Sequence, residues 1–147
     1  MSVLDESEAL LNELVSRVRA DFEVVLPGLE LQFTTYREWM SDTPASRRLE
    51  TKLPMLDDVV CITDRGSFPL RVHEGVEVSC FIVATQLQDA VMDDLQRPWP
   101  AFEVQGSLIV PIPELDELGR ACWQADDRFR CPVGYLRSAL TLFAAID

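Results

Sequence analysis

Lysine is all but missing from this chain: of 13 basic residues only Lys52 is a lysine, and His73 is the one histidine. The four cysteines, Cys61, Cys80, Cys122 and Cys131, include no C-x2-C pair and no neighbouring histidine pair. Structural zinc sites use such pairs because two ligands on one tight turn already converge on the metal. Glycine occurs six times and forms no glycine-rich loop ahead of a helix, and no serine stands in a G-x-S-x-G setting. Nucleotide cradles and hydrolase elbows therefore lack their local signals. No apolar run approaches the roughly 20 residues that span a bilayer. Basic clusters are also scarce: Arg47 and Arg48 are the one adjacent basic pair.

What is abundant is acid. The formal net charge is -12, with 8 basic and 13 acidic residues in 1–73 and 5 and 12 in 74–147, so neither half offers a basic face. Nucleic acid and anionic membrane are poor partners for such a surface, because phosphate binding draws on clustered Lys and Arg. The 147 residues, 48% of them hydrophobic, suffice for one domain over 1–147 with a core that needs no disulfide or metal. The opening "MSVLDESEALLNELVSRV" carries acids where a secretory signal carries basic residues, so a cytoplasmic location and reduced cysteines are expected.

Periodicity supplies the elements. Leu11, Val15, Val18 and Phe22, widened by Leu10 and Leu14, predict an N-terminal helix, with Asp5 as its cap and Glu8 in its first turn. "LELQFTTY" alternates Leu29, Leu31 and Phe33 with polar residues, which predicts a strand. "SDTPASRR" (41–48) has the composition of a loop. "DVVCITD", "FPLRV" and "VEVSCF" read as strands joined at "RGS" and "HEG", where Gly66 and Gly75 would supply turn conformations. From Ile82 to Gln96 the period lengthens, and Val83, Leu87, Val91 and Leu95 predict a second helix with Ser79 as a candidate cap and "RPWP" as its end. "SLIVPIP", "ACWQ" and "RFRCPV" suggest short extended pieces, and "YLRSALTLFAAI" a closing helix. The expected fold is α+β: an antiparallel sheet of about five strands, an N-terminal helix, and a second helix packed on one face.

Two stretches attract functional readings. On the second helix, Gln86, Asp89, Asp93 and Arg97 form a polar stripe that Asp94 extends, and Trp99 follows between two prolines. Asp89 and Asp93 are like charges at i, i+4, a strain a basic partner would relieve, and a rigid proline-flanked aromatic loses little entropy on burial. These six are the candidate partner-binding residues, although a solvated helix face and a tryptophan capping its own core fit the same pattern. The other stretch is "RACWQADDRFRCPVGY" (120–135). It fits a hairpin with Trp123 and Phe129 or Cys122 and Cys131 facing inward and Asp126 and Asp127 at its tip. Alternatively, Cys80, Cys122 and Cys131, with His73, hold a metal ion if the fold brings them together. A Cys-His nucleophile has His73 as its one available base, and nothing nominates an enzyme.

"ATQLQDAVMDDLQRPWP" followed by "ACWQADDRFRCPVGY" resembles a group of small bacterial proteins with no assigned activity. In that group a helix of the form A-x-x-L-Q-D-x-V-x-D/E-x-L runs into W-P, and a later tryptophan precedes Cys-Pro. The group often places Cys-Pro and histidines after W-P, whereas here Ala101 and Phe102 follow Pro100, leaving Cys131-Pro132 alone. No cofactor is implied. The resulting expectation is a non-enzymatic protein-binding module, adaptor-like or inhibitor-like, for a basic protein partner such as a nuclease, with a homodimer compatible. The alternative is a small-ligand or metal-binding domain that uses the cysteines or a pocket between sheet and helix.

Overall fold

The computed structural model describes residues 7–40 and 59–146, so Asp5 and the 41–48 stretch lie outside the described residues. The first helix, α1 (Glu8–Phe22), turns Leu11, Leu14, Val18 and Phe22 inward, while Val15 is half-buried. After the turn at Pro27 and Gly28 come β1 (Gln32–Thr35) and a short helix, α2 (Tyr36–Met40). β2 (Val59–Thr63) and β3 (Gly66–Pro69) form the expected hairpin, and β1 pairs along the other edge of β2, giving an antiparallel sheet in the order β1-β2-β3. Cys61 faces both Phe33 and Phe68 in its register, which puts the three on one inward face.

"VEVSCF" is not the strand its alternation suggested. A single 3-10 turn (Val72–Glu74) carries His73, and α3 (Val76–Leu95) begins directly after Gly75. Helical geometry wins because Cys80, Ala84, Leu87 and Val91 then share one buried stripe with a period near four, whereas a strand would have turned Cys80 and Phe81 to opposite faces. Ser79 consequently lies inside the helix, fully buried, with no hydrogen bond to its hydroxyl, and is not a cap. Leu95, expected on the apolar face, is the helix's last residue and is exposed. Gln96 closes the helix in a left-handed conformation (φ 53°).

The remaining strands divide. β4 (Phe102–Val104) and β5 (Ser107–Ile109) form a hairpin of their own, while β6 (Ile112–Leu115), β7 (Ala121–Ala125) and β8 (Phe129–Pro132) form a second three-stranded antiparallel sheet. The described residues thus form three small sheets where one of about five strands was expected. Prolines account for part of the division, since Pro111 and Pro113 cannot donate to a ladder on both sides of Ile112. The chain ends in α4 (Leu136–Ile146).

α3 packs on α1 and against β6 and β7. One continuous core gathers Leu14, Val18 and Phe22 of α1, Val59 of β2, Val83 and Leu87 of α3, Trp123 of β7 and Leu136 of α4. In the β7–β8 register Trp123 faces Cys131 and Ala125 faces Phe129, so these four share the inner face. Cys122 faces Pro132 one position along and therefore sits on the outer face. Of the two expected arrangements the first holds, with Trp123 and Phe129 inward, and the second holds in part, since Cys131 points inward and Cys122 does not. Asp126 and Asp127 are exposed at the tip.

Candidate functional site

The predicted partner-binding residues do not behave alike. Gln86, Asp89, Asp93 and Asp94 are exposed on α3; the first three lie on the side away from Leu87 and Val91, whereas Asp94, seven residues after Leu87, stands above that apolar stripe. Asp94 forms an ion pair with Arg65 of the β2–β3 turn. Asp89 and Asp93 have no ion-pair partner among the described residues, which leaves their mutual repulsion unrelieved. Arg97 is exposed just beyond the helix. Trp99 is half-buried: its ring lies 5.1 Å from Phe22 and 6.0 Å, nearly perpendicular, from Trp123. That ties Trp99 to the core and leaves only part of its surface to a partner. The buried Gln88 fixes this corner by donating to the Trp99 carbonyl (3.1 Å) and the Pro111 carbonyl (2.8 Å).

The cysteines form no ligand set. Among the described residues no three His, Cys, Asp or Glu side chains converge to hold a metal ion. Cys61, Cys80, Cys122 and Cys131 are free and buried. Burial pushes the thiols of Cys61, Cys80 and Cys131 up to about 12, so they are protonated at neutral pH and ill-suited to act as nucleophiles or metal ligands. Burial also raises Cys122, against a pull from the Arg130 charge.

A second site, not anticipated from local sequence, is a cleft of about 510 Å³ where α1, the start of α3 and the outer face of the β6–β7–β8 sheet meet. Its inner wall is an ion pair between two helices. Arg17 of α1 donates from Nη1 (2.6 Å) and Nη2 (3.0 Å) to the two carboxylate oxygens of Glu77 at the start of α3, and from Nε to the Val133 carbonyl (2.8 Å). Glu77 Oε1 also accepts from the Ala121 amide at 2.9 Å, so three elements meet at one carboxylate. The hydrogen bond from Arg17 holds the Glu77 carboxyl below its usual range, outweighing burial, and the same bond raises Arg17. Gly134 lets the Arg17 stem pass: a Cβ there would come within 3.1 Å of Arg17 Cγ, on a backbone whose φ of +109° already favours glycine.

On the other side stands the β6–β7 turn. Asp116 accepts from the amides of Leu118 and Arg120 and from Arg120 Nε, each at 2.9 Å. These bonds, that of the Arg120 amide foremost, lower its carboxyl below the usual range. Strand alternation places Arg120, Cys122, Arg130 and Pro132 on the same outer face of the sheet, because Cys122 faces Pro132 and Gln124 faces Arg130. Tyr135, 60% exposed, closes one rim, and Glu13 of α1 another.

Behind the cleft, and separate from it, lies a buried carboxylate. Asp21 of α1 accepts from Trp123 Nε1 (2.7 Å), the Gly134 amide (2.6 Å) and the Leu136 amide (2.9 Å), the last at the first residue of α4. Burial raises its pKa, and the three donors together with nearby Arg17 oppose that rise. Asp21 thus ties α1 to β7 and to the start of α4.

No helix among the described residues is long and apolar enough to cross a membrane. Compared with known proteins, the chain matches no family model, no curated protein and no solved structure.

Proposed function

We propose that this is a non-enzymatic protein-binding module whose docking face is the exposed acidic side of α3, and that its partner is a protein with a basic surface. The carrying observation is the pair Asp89 and Asp93, exposed at helical neighbour positions with no ion-pair partner among the described residues, although Arg65 pairs with the adjacent Asp94. A basic partner relieves that repulsion and is steered toward it over a distance set by screening. Gln86 precedes Asp89 by three residues on the same helix face, and Arg97 and the half-buried Trp99 follow just beyond the end of the helix. A cytoplasmic location goes with this reading, as does an inhibitor-like or adaptor-like role, in which occupation of the partner's basic surface is itself the activity.

The test reverses the face. Asp89→Lys, Asp93→Lys and Asp94→Lys together should leave the melting temperature nearly unchanged, because exposed charges contribute little to stability. Binding to the partner recovered by pull-down should weaken mainly through a slower association rate, and the wild-type rate should fall as salt rises. Association unchanged in the triple variant and insensitive to salt in the wild type would remove this face from consideration.

A further inference from the structure

We propose that the cleft between α1, the start of α3 and the outer face of the β6–β7–β8 sheet binds a small oxyanion ligand, a carboxylate or phosphate on an apolar or aromatic body, with Arg120 and Arg130 holding the anion and Cys122, Pro132 and Tyr135 flanking the body. This site is independent of the acidic face of α3: it takes only Glu77 from that helix, in its first turn, whereas Asp89, Asp93 and Asp94 lie near its other end.

Donors and acceptors, not net charge, decide what this cleft takes, since its wall carries Glu13, Glu77 and Asp116 as well as three arginines. Two of those carboxylates are already satisfied from within. Glu77 accepts from Arg17 on both oxygens and from the Ala121 amide, and Asp116 accepts from two amides and Arg120 Nε. The guanidiniums are not satisfied in the same way. Beyond Nε, Arg120 has no acceptor among the described residues for its Nη groups, and Arg130 has only Glu117, exposed and 3.5 Å away. A guanidinium carries five N–H donors in a planar fork that matches a carboxylate or phosphate. The excess in the cleft is therefore of donors, and the ligand that completes it is rich in acceptors.

The walls suit a ligand with a body. Cys122 is a buried, protonated thiol that behaves as a small apolar surface, Pro132 lies opposite it in register, and Tyr135 presents an exposed ring at the rim. A volume of about 510 Å³ falls within the usual range for small-molecule sites. The fixed Arg17–Glu77 pair gives the cleft a rigid back wall, so little ordering is needed on binding. Glu13, exposed at the rim, works against an anion, and so do the charges of Glu77 and Asp116, whose oxygens are however taken up by donors of the chain itself.

The experiment titrates the full chain with benzoate and with phenyl phosphate, using benzyl alcohol and benzylamine as uncharged and cationic counterparts, and follows backbone amide shifts by NMR. One or both anions should give saturable shifts at Cys122, Arg130 and Tyr135; which one does so separates a carboxylate from a phosphate site. The uncharged and cationic counterparts should bind more weakly. Arg130→Gln and Arg120→Gln, both at exposed positions, should each weaken the anion roughly fivefold or more, the scale of a lost charge-assisted hydrogen bond. Glu13→Gln should tighten it, a gain that a merely structural role for these residues would not give. Non-saturable shifts, equal binding of benzylamine, or affinity untouched by both arginine variants while the fold is intact would overturn the assignment. The Asp89, Asp93 and Asp94 reversal should leave these shifts unchanged, so failure of either site is read separately.

Discussion

Asp21 shows what one residue does when its partners come from far along the chain. Within α1 it stands three residues after Val18 and seven after Leu14, on the flank of the apolar stripe. That spacing hints at burial, but nothing local names its partners. Its three donors lie 102, 113 and 115 residues downstream, and only the folded chain delivers them. Asp21→Ala should therefore cost about 2 to 5 kcal/mol, because it leaves the Trp123 indole N–H and two amides without an acceptor in a buried place. Asp21→Asn keeps one acceptor oxygen but turns an amide NH2 toward the remaining donors, so its cost should be smaller and still measurable by denaturant titration. A loss below about half a kcal/mol for the alanine variant, the range of ordinary surface changes, would mean that these hydrogen bonds do not hold α4 in place. The residues of the cleft were hidden in the same way: Arg17 and Glu77 are 60 positions apart, and neither has a neighbour in sequence that hints at the other. The acidic residues of α3 were readable because their spacing along one helix sets their face without help from the rest of the fold.

At the scale of elements, sequence pattern located α1, most of α3, the strand β1, and the β2–β3 and β7–β8 hairpins. It failed at Val76–Phe81, where Val76, Val78 and Cys80 alternate with Glu77, Ser79 and Phe81 as they would in a strand. Six residues cannot separate a period of two from one of 3.6 when the segment is mostly apolar, and tertiary contacts decided the outcome. Glu77 is among those contacts, since a helix starting at Val76 presents its carboxylate to Arg17 and to the Ala121 amide together. The division into three sheets escaped the sequence for a different reason: strand boundaries can be read locally, whereas which strands pair is settled by packing. The Glu77 contact carries a pH dependence with a definite sign. Its pKa is lowered in the folded state, first by the Arg17 hydrogen bond, so its contribution is complete above the ordinary glutamate pKa and is lost as pH falls through the depressed folded value. Glu77→Gln should lower the melting temperature at neutral pH, and the gap from wild type should narrow in acid below the usual glutamate range. A gap that stays constant from neutral pH down into that acid range would show that the carboxylate charge does not join α1, α3 and β7.

Among the described residues one core draws on the β1–β2–β3 and β6–β7–β8 sheets and on α1, α3 and α4, with Cys61, Cys80 and Cys131 inside it. Those three thiols belong to β2, α3 and β8, so they sample different parts of the fold, and each is pushed up to about 12 by burial. The reactive species is the thiolate, so in the folded protein they should be silent toward a thiol reagent until the core opens. If the core opens as a unit, Cys61, Cys80 and Cys131 share one opening free energy, equal to that of global unfolding measured by denaturant. Cys122, on the outer face of the sheet beside Arg130, needs only a local fluctuation of the cleft wall and should label first. Reductant should leave the melting temperature unchanged, because all four cysteines are free and no covalent link contributes to the fold. Mass spectrometry of peptides after timed labelling in rising denaturant measures each site on its own. Should Cys61 label at a lower denaturant concentration than Cys80 and Cys131, the β1–β2–β3 sheet would be opening apart from the rest. The single core would then be two units in contact, with Val59 and Leu70 packed at the seam between them.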